Sequence, residues 1–331
     1  MNSDKKSPID KLKKFLVTKD KVKDMITSKF IWHSIIAIGH LSVWTGSAGS
    51  GKTAIAKQAA QDLSSQGYDV LYFQEDAGAG DLPAMQEHAE KWGYSLFNSS
   101  LADSSAEFLL DYFRELIVEK SDLSGFVMFF DTLKKFCDVM GKSGTRAFFI
   151  LMRSLTAKGA TVILLGHNTK RPDGLGKQIY DGVGDIRNDV DELIYIESTN
   201  KDSDGLVTIT MNPDKARCLA ESISFKLNTV TSEIEAMDEF VDVSYYNIQQ
   251  SQYERDLPII SLVIEELGSG QLPITVLVSK VCKRQDCRYG AKFIKSLIER
   301  YLESNPDRVQ LCWYEMKERI NNARIISIAP F

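Results

Sequence analysis

The stretch Gly46-Ser47-Ala48-Gly49-Ser50-Gly51-Lys52-Thr53 constrains this chain more than any other part of it. It fits the pattern G-x-x-x-x-G-K-[ST], which average composition would produce in roughly 1% of chains this long. Such a loop must leave a strand and open a helix. The apolar run 41–45 precedes it and a helical pattern at 54–65 follows it. Glycines let backbone N–H groups curl around a phosphate, and the helix N-terminus behind them favours negative charge. All eight residues are therefore expected to cradle the phosphates of ATP. Lys52 reaches the β- and γ-phosphates, and the Thr53 hydroxyl holds Mg²⁺. A glycine-rich turn without a ligand is the plainer alternative.

From about 30 to 250, short apolar runs alternate with helical stretches. Strands are expected at 41–45, 69–74, 125–130, 161–165 and 191–196, and helices at 51–65, 81–92, 106–121 and 144–158. Continuously apolar strands between helices predict an α/β fold whose parallel sheet is covered on both faces. Ligands sit at the C-terminal ends of such strands. The run 70–74 ends in Glu75-Asp76, and 126–130 ends in Asp131. Asp131 is expected to hold Mg²⁺ directly or through water. Glu75 is placed to orient or deprotonate the attacking water, with Asp76 as its competitor. The run 161–165 ends in Gly166-His167-Asn168, where His167 is either structural or a sensor of the γ-phosphate. His33, His40 and His88 lack such context and read as structural. Beyond Asn200, the stretches 206–211, 222–227 and 239–246 read as antiparallel strands.

The 331 residues suggest two domains and an arm, at about 100–200 residues per domain. With 44% hydrophobic residues the chain is not disordered throughout. It lacks an apolar stretch of about 18 residues, which argues against a transmembrane helix. Residues 1–10 are polar with no apolar run behind them, so no secretory signal is expected and the cytoplasm is the expected location. Five scattered cysteines suit a reducing compartment, and Cys282 with Cys287 lacks a second pair at zinc spacing.

A net charge of −5 speaks weakly against a nucleic-acid partner. Its partition reads differently. Residues 1–24 carry +4, residues 255–331 carry +3, and the middle carries −12. The N-terminal arm, 1–27, has a helix-start signal at Ser7-Pro8, then Ile9, Leu12, Phe15 and Leu16 on one face. That stripe must be buried on its own domain or on a neighbouring subunit. An ATPase domain is expected over 28–250, with a polar linker near 244–254. In 255–331, helices at 257–267, 272–283 and 288–304 precede strands at 309–316 and 323–328, with Asn321-Asn322 in the turn. This is a winged-helix plan. Lys280, Lys283, Arg284, Arg288, Lys292 and Lys295 oppose a single Asp286. Arg288, Lys292 and Lys295 fall on one face of the third helix, where a winged helix reads DNA. Lys317, Arg319 and Arg324 add charge near the hairpin. DNA phosphates fit this pattern; a protein-contact module and a merely solvated charged face are the alternatives.

Together these motifs resemble the RecA-fold ATPases, most of all the hexameric replicative DNA helicases of plasmid RepA-type and the ring helicases of phages. The resemblance covers about 28–230. It is carried by the phosphate loop, Gln74-Glu75-Asp76 and the run Phe129-Phe130-Asp131-Thr132-Leu133-Lys134-Lys135-Phe136. The run 163–170 is similar to the family's strand ending in His-His-Thr-x-Lys, with Gly166 in place of the first His. The segment 182–191 is similar to the one that follows the family's DNA-binding loop. Asn212-Pro213-Asp214-Lys215-Ala216-Arg217 resembles the Lys-x-Arg that such rings insert into a neighbour's ATP site. The resemblance therefore implies ATP and Mg²⁺ as cofactors, Lys215 sensing the γ-phosphate and Arg217 as an arginine finger in trans, worth about 10³–10⁵ in rate. It implies a homo-oligomeric ring, a hexamer by preference, with single-stranded DNA in a central channel. The segment 170–182 would line that channel, with Lys170, Arg171 and Lys177 on phosphates and Tyr180 stacked on a base. A replication initiator or a primase is the further partner it suggests. A RecA-fold ATPase that loads, recombines or regulates without unwinding shares every one of these motifs. An ATP-switched binding module shares most of them, but would have no need of Glu75.

Overall fold

Strands buried on both faces organise the first part of the chain. In a computed structural model, residues 12–13, 16–19, 29–102, 104–119, 121–138, 142–168, 186–306, 310–317 and 323–329 are described. The chain divides into two compact units, Met1–Val241 and Asp242–Phe331.

The first unit opens with a small antiparallel pair, β1 (Phe30–Trp32) and β2 (Ile36–Ala37). Then come β3 (Leu41–Gly46), α1 (Lys52–Ser65), β4 (Asp69–Gln74), α2 (Leu82–Trp92), β5 (Ser95–Phe97) and α3 (Ala106–Val118). These are followed by β6 (Phe126–Asp131), α4 (Lys142–Thr156), β7 (Thr161–His167) and the single-turn α5 (Ile186–Asp189). The unit ends with β8 (Glu192–Ser198), β9 (Leu206–Ala216), β10 (Ile223–Asn228) and β11 (Ile234–Ala236). One sheet runs β11-β10-β9-β8-β3-β7-β6-β4-β5. From β8 to β5 it is parallel. The rest extends it antiparallel beyond β8. The fold is thus α/β with a large, mostly parallel sheet.

Alternation along the strands explains the continuous apolar runs. Trp44, Tyr72, Phe129 and Ile163 pack on one face against Ile55, Ala59 and Leu63 of α1 and Met85 of α2. Val43, Phe73, Phe130 and Leu164 pack on the other against Phe113 of α3 and Phe149 and Met152 of α4. Each large side chain so buried contributes about 1.5–3 kcal/mol. No helix among the described residues is long and apolar enough to cross a membrane.

The second unit comprises α6 (Val243–Leu267), β12 (Leu272–Pro273), α7 (Ile274–Lys283), α8 (Ala291–Arg300), β13 (Trp313–Lys317) and β14 (Arg324–Ile328). Its strands pair antiparallel in the order β12-β14-β13. Val263, Leu277, Val281, Ile294, Leu297, Trp313 and Ile326 form its core. Buried Asp256 accepts from the Tyr301 hydroxyl at 2.9 Å and pairs with Arg300, tying α6 to the end of α8.

Three expectations are corrected. Residues 239–246 are not a strand, and 244–254 is not a linker. Both overlap α6, which starts where the Asp242 carboxylate accepts the Tyr245 amide at 3.1 Å. That cap outweighs the β-branched and aromatic content of the segment. The third helix of this unit begins at Ala291 behind an extended Gly290, so Arg288 precedes the helix and does not share its face with Lys292 and Lys295. The helical arm lies largely outside the described residues, as do Arg319 and the Asn321-Asn322 turn.

Candidate nucleotide site

The loop between β3 and α1 is shaped by backbone constraints that only glycine meets. Gly49 and Gly51 have φ of +76° and +84°, the left-handed region. A Cβ on Gly46 would fall 2.4 Å from the Ile196 carbonyl oxygen. Ser47, Ala48 and Gly49 form the exposed crest, while Ser50 is buried beneath it. Lys52 is buried, and its ammonium donates to the carbonyls of Gly46 at 2.9 Å and Ser47 at 2.8 Å. Burial lowers its pKa, and the nearby Asp131 charge pulls the other way. A lysine folded onto its own loop beside a helix N-terminus suits an incoming phosphate.

Asp131 stands level with Gln74 on β4 and Leu165 on β7. Its Oδ2 accepts from the Thr53 hydroxyl at 2.8 Å, the Tyr72 hydroxyl at 2.9 Å and Gln74 Nε2 at 3.2 Å. Burial raises the pKa of this carboxyl, and the three hydrogen bonds oppose the rise. An oxygen-only pair, a hydroxyl and a carboxylate already in contact, fits the hard-donor chemistry of Mg²⁺. Tyr72 has no signal in the sequence, and Gln74 counts there only as part of the Gln74-Glu75-Asp76 motif. The two sit at period two on β4, and only the register with β6 brings them to Asp131.

Glu75 follows β4, and its amide donates to the Asp131 carbonyl at 2.7 Å. Its carboxylate is gripped by Ser99, from the amide at 2.8 Å and from the hydroxyl at 2.6 Å. Asp76 instead faces Lys135 at 3.8 Å and Lys134 at 4.0 Å. His167 ends β7 level with Gly46. Next to it Asn168 accepts from the buried Thr45 hydroxyl at 2.7 Å. The phosphate loop, Asp131, Glu75 and His167 thus gather at the C-terminal ends of adjacent strands.

Lys215 and Arg217 lie elsewhere. Ala216 stands level with Glu192 on β8, and Glu192 with Ser42 on β3, so the end of β9 meets the beginnings of β8 and β3. The Lys215 ammonium donates to the carbonyls of Arg187, Asn188 and Val190 at 2.6, 3.2 and 2.8 Å. Arg217 pairs with Asp191 at 2.8 Å and remains 60% exposed. With Arg146 and Arg153 it lines an open groove of about 840 Å³. Strand geometry puts this end about 17 Å from the phosphate loop of the same chain. Lys170, Arg171, Lys177 and Tyr180 lie outside the described residues.

In the second unit Arg288, Lys292 and Lys295 are exposed. Lys292 and Lys295 line a groove of about 740 Å³ with Pro273, Ile274 and Arg324. Several other cations there are engaged by acids. Arg284 pairs with Glu265, Glu266 and Asp286, Arg324 with Glu299 and Glu315, and Lys280 with Glu266.

No protein-family profile matches the sequence. No curated protein matches it either. Among solved structures, a KaiC-like protein of the hyperthermophilic archaeon Pyrococcus horikoshii aligns at a TM-score of 0.43 and 16% identity, over 61% of this chain and 91% of that one. A likeness of that strength carries neither fold nor activity to this chain.

Proposed function

We propose that the chain is a RecA-like P-loop ATPase that hydrolyses ATP between copies of itself in a ring, and that the ring moves on single-stranded DNA as a helicase. One observation carries the reading: the phosphate loop, Asp131 and Glu75 sit at one end of the parallel sheet, and exposed Arg217 sits at the other. Lys52 and the loop amides bind the β- and γ-phosphates of ATP. Thr53 and Asp131 would hold Mg²⁺, whose chemistry there would be to neutralise charge on the phosphates. Glu75, positioned by Ser99, takes the proton of the attacking water. His167, beside the loop, reports the γ-phosphate to the segment that follows β7. Arg217 and Lys215 cannot reach the nucleotide of their own chain and serve the next one, which makes hydrolysis depend on closure of the ring.

The DNA contacts are assigned to Lys170, Arg171, Lys177 and Tyr180 in the channel. A second set lies on the C-terminal unit, read as a winged helix whose exposed Lys292 and Lys295 meet phosphates, with Arg288 beside them. The acidic partners of Arg284 and Arg324 favour a second reading, in which that unit docks on a protein such as an initiator or primase and the ATPase loads or regulates without unwinding. A forked-duplex displacement assay, run beside ATPase measurements with and without single-stranded DNA, separates them. DNA-stimulated hydrolysis with unwinding is expected. Stimulation without displacement favours the second reading, and absence of hydrolysis sinks both.

A further inference from the structure

At the end of the sheet opposite the phosphate loop, three side chains from distant parts of the chain converge. His40 immediately precedes β3, Glu192 opens β8 and Cys218 lies just past β9. One ligand-capable atom from each lies within 4.8 Å of the others. His40 Nδ1 is 2.7 Å from Glu192 Oε1, and Cys218 Sγ is 3.4 Å from the same oxygen. Glu192 is fully buried, and its second oxygen, Oε2, has no hydrogen-bond partner among the described residues. His40 already partners one oxygen of this carboxylate; the other, removed from water and unsatisfied, carries a desolvation cost that a bound cation would offset.

We propose that His40 Nδ1, the Glu192 carboxylate and Cys218 Sγ bind one divalent transition-metal ion of the zinc class. The donor set is imidazole, carboxylate and thiolate, which suits Zn²⁺ and disfavours Mg²⁺ and Ca²⁺, both of which take oxygen ligands. Bond lengths of about 2.0–2.2 Å to N and O and about 2.3 Å to S set tetrahedral ligand atoms about 3.3–3.7 Å apart. The Cys218–Glu192 separation already lies in that range, and His40 has to draw back from the Glu192 oxygen by about 0.6–1 Å to reach it. His40 and Cys218 are half-buried, so the ion has a way in. On binding, the S–H bond of Cys218 breaks, the thiolate bonds the metal and the proton leaves to solvent. Burial and the Glu192 charge hold this thiol up at about 11 without a metal. Three protein donors leave one position for water. The site shares no residue with the nucleotide site and does not depend on the ATPase reading.

The test is a Co²⁺ titration of the full chain, stripped with chelator and carrying Cys282→Ser and Cys287→Ser so that this pair cannot contribute. One equivalent of Co²⁺ is expected to give a thiolate-to-cobalt charge-transfer band that Zn²⁺ abolishes. Co²⁺ replacing Mg²⁺ beside Asp131 gives no such band, because Thr53 and Asp131 offer oxygen and no thiolate. Cys218→Ser should remove the band while leaving the circular dichroism and melting of the metal-free protein unchanged. Glu192→Gln should weaken Co²⁺ affinity about 10-fold or more. Absence of the band at saturating Co²⁺, its persistence in Cys218→Ser, or full affinity in Glu192→Gln overturns the proposal.

Discussion

Arg217→Ala distinguishes a residue that supports its own fold from one that works on a neighbour's phosphate. The Asp191 carboxylate that Arg217 pairs with also pairs with Arg153 and accepts the Leu41 amide at 2.9 Å. Removing Arg217 therefore leaves Asp191 compensated, and the structural loss is that of an exposed ion pair, about 0–1 kcal/mol. An arginine acting on a transferring phosphoryl group contributes about 10³–10⁵ in rate, which is about 4–7 kcal/mol. The two ranges do not overlap, so stability and turnover tell the roles apart. Arg217→Ala should melt within a few degrees of the parent, bind nucleotide normally and lose nearly all hydrolysis. Location in trans is then read by co-expressing Arg217→Ala with Lys52→Ala. Each variant alone is expected to be inactive. In a mixed ring, a chain with an intact phosphate loop but no Arg217 can stand beside one that supplies Arg217. With equal amounts and random assembly, about one interface in four is complete, so about a quarter of the parent rate should return. A rate within about threefold of the parent in Arg217→Ala alone refutes the role. Mixed rings that stay silent refute its action across the interface.

Three further outcomes follow from the geometry. Gly46→Ala forces a Cβ to within 2.4 Å of a backbone carbonyl that cannot move aside; overpacking of this kind costs about 1–3 kcal/mol, so a melting point lower by several degrees and loss of fluorescent-nucleotide binding are expected. His88 bonds the Tyr94 hydroxyl at 3.0 Å, and burial together with Lys57 and Lys91 lowers its pKa to about 4. Between that value and its ordinary one the unfolded chain holds a proton the folded chain does not. Stability is therefore lost as pH falls through this window, by about 1–2 kcal/mol after allowing for solvent, and His88→Gln should flatten that part of the melting-against-pH curve. Neutralising Lys292 and Lys295 together should weaken DNA binding and make the slope of log affinity against log salt shallower by about two contacts; an unchanged slope removes these lysines from the DNA-binding face.

The parts of the molecule legible in the sequence are those whose reason is local. The phosphate loop is legible because a backbone with positive φ at Gly49 and Gly51 demands glycine at those positions. The β6 strand is legible because five apolar residues before Asp131 have two covered faces to fill. What could not be read depends on register. Tyr72 and Gln74 reach Asp131 only because β4 and β6 align Gln74 with Asp131, and Ser99 reaches Glu75 only across the 24 residues that fold α2 and β5 between them. The segment 239–246 differs for the opposite reason: its structure is set by a local signal, the Asp242 cap, which starts a helix despite the valines and tyrosines around it. His40 illustrates the limit most sharply. In sequence it is a lone histidine before a strand, yet the parallel alignment of β3 with β8 and the antiparallel return of β9 bring Glu192 and Cys218 to it. The same return of β9 gives the proposed ring its logic. A parallel sheet holds all its phosphate-binding ends on one side, so a residue carried back by an antiparallel strand is stranded on the other side. Arg217 can act on ATP only if a second copy presents its loop there, and the dependence of catalysis on assembly then follows from the direction of a single strand.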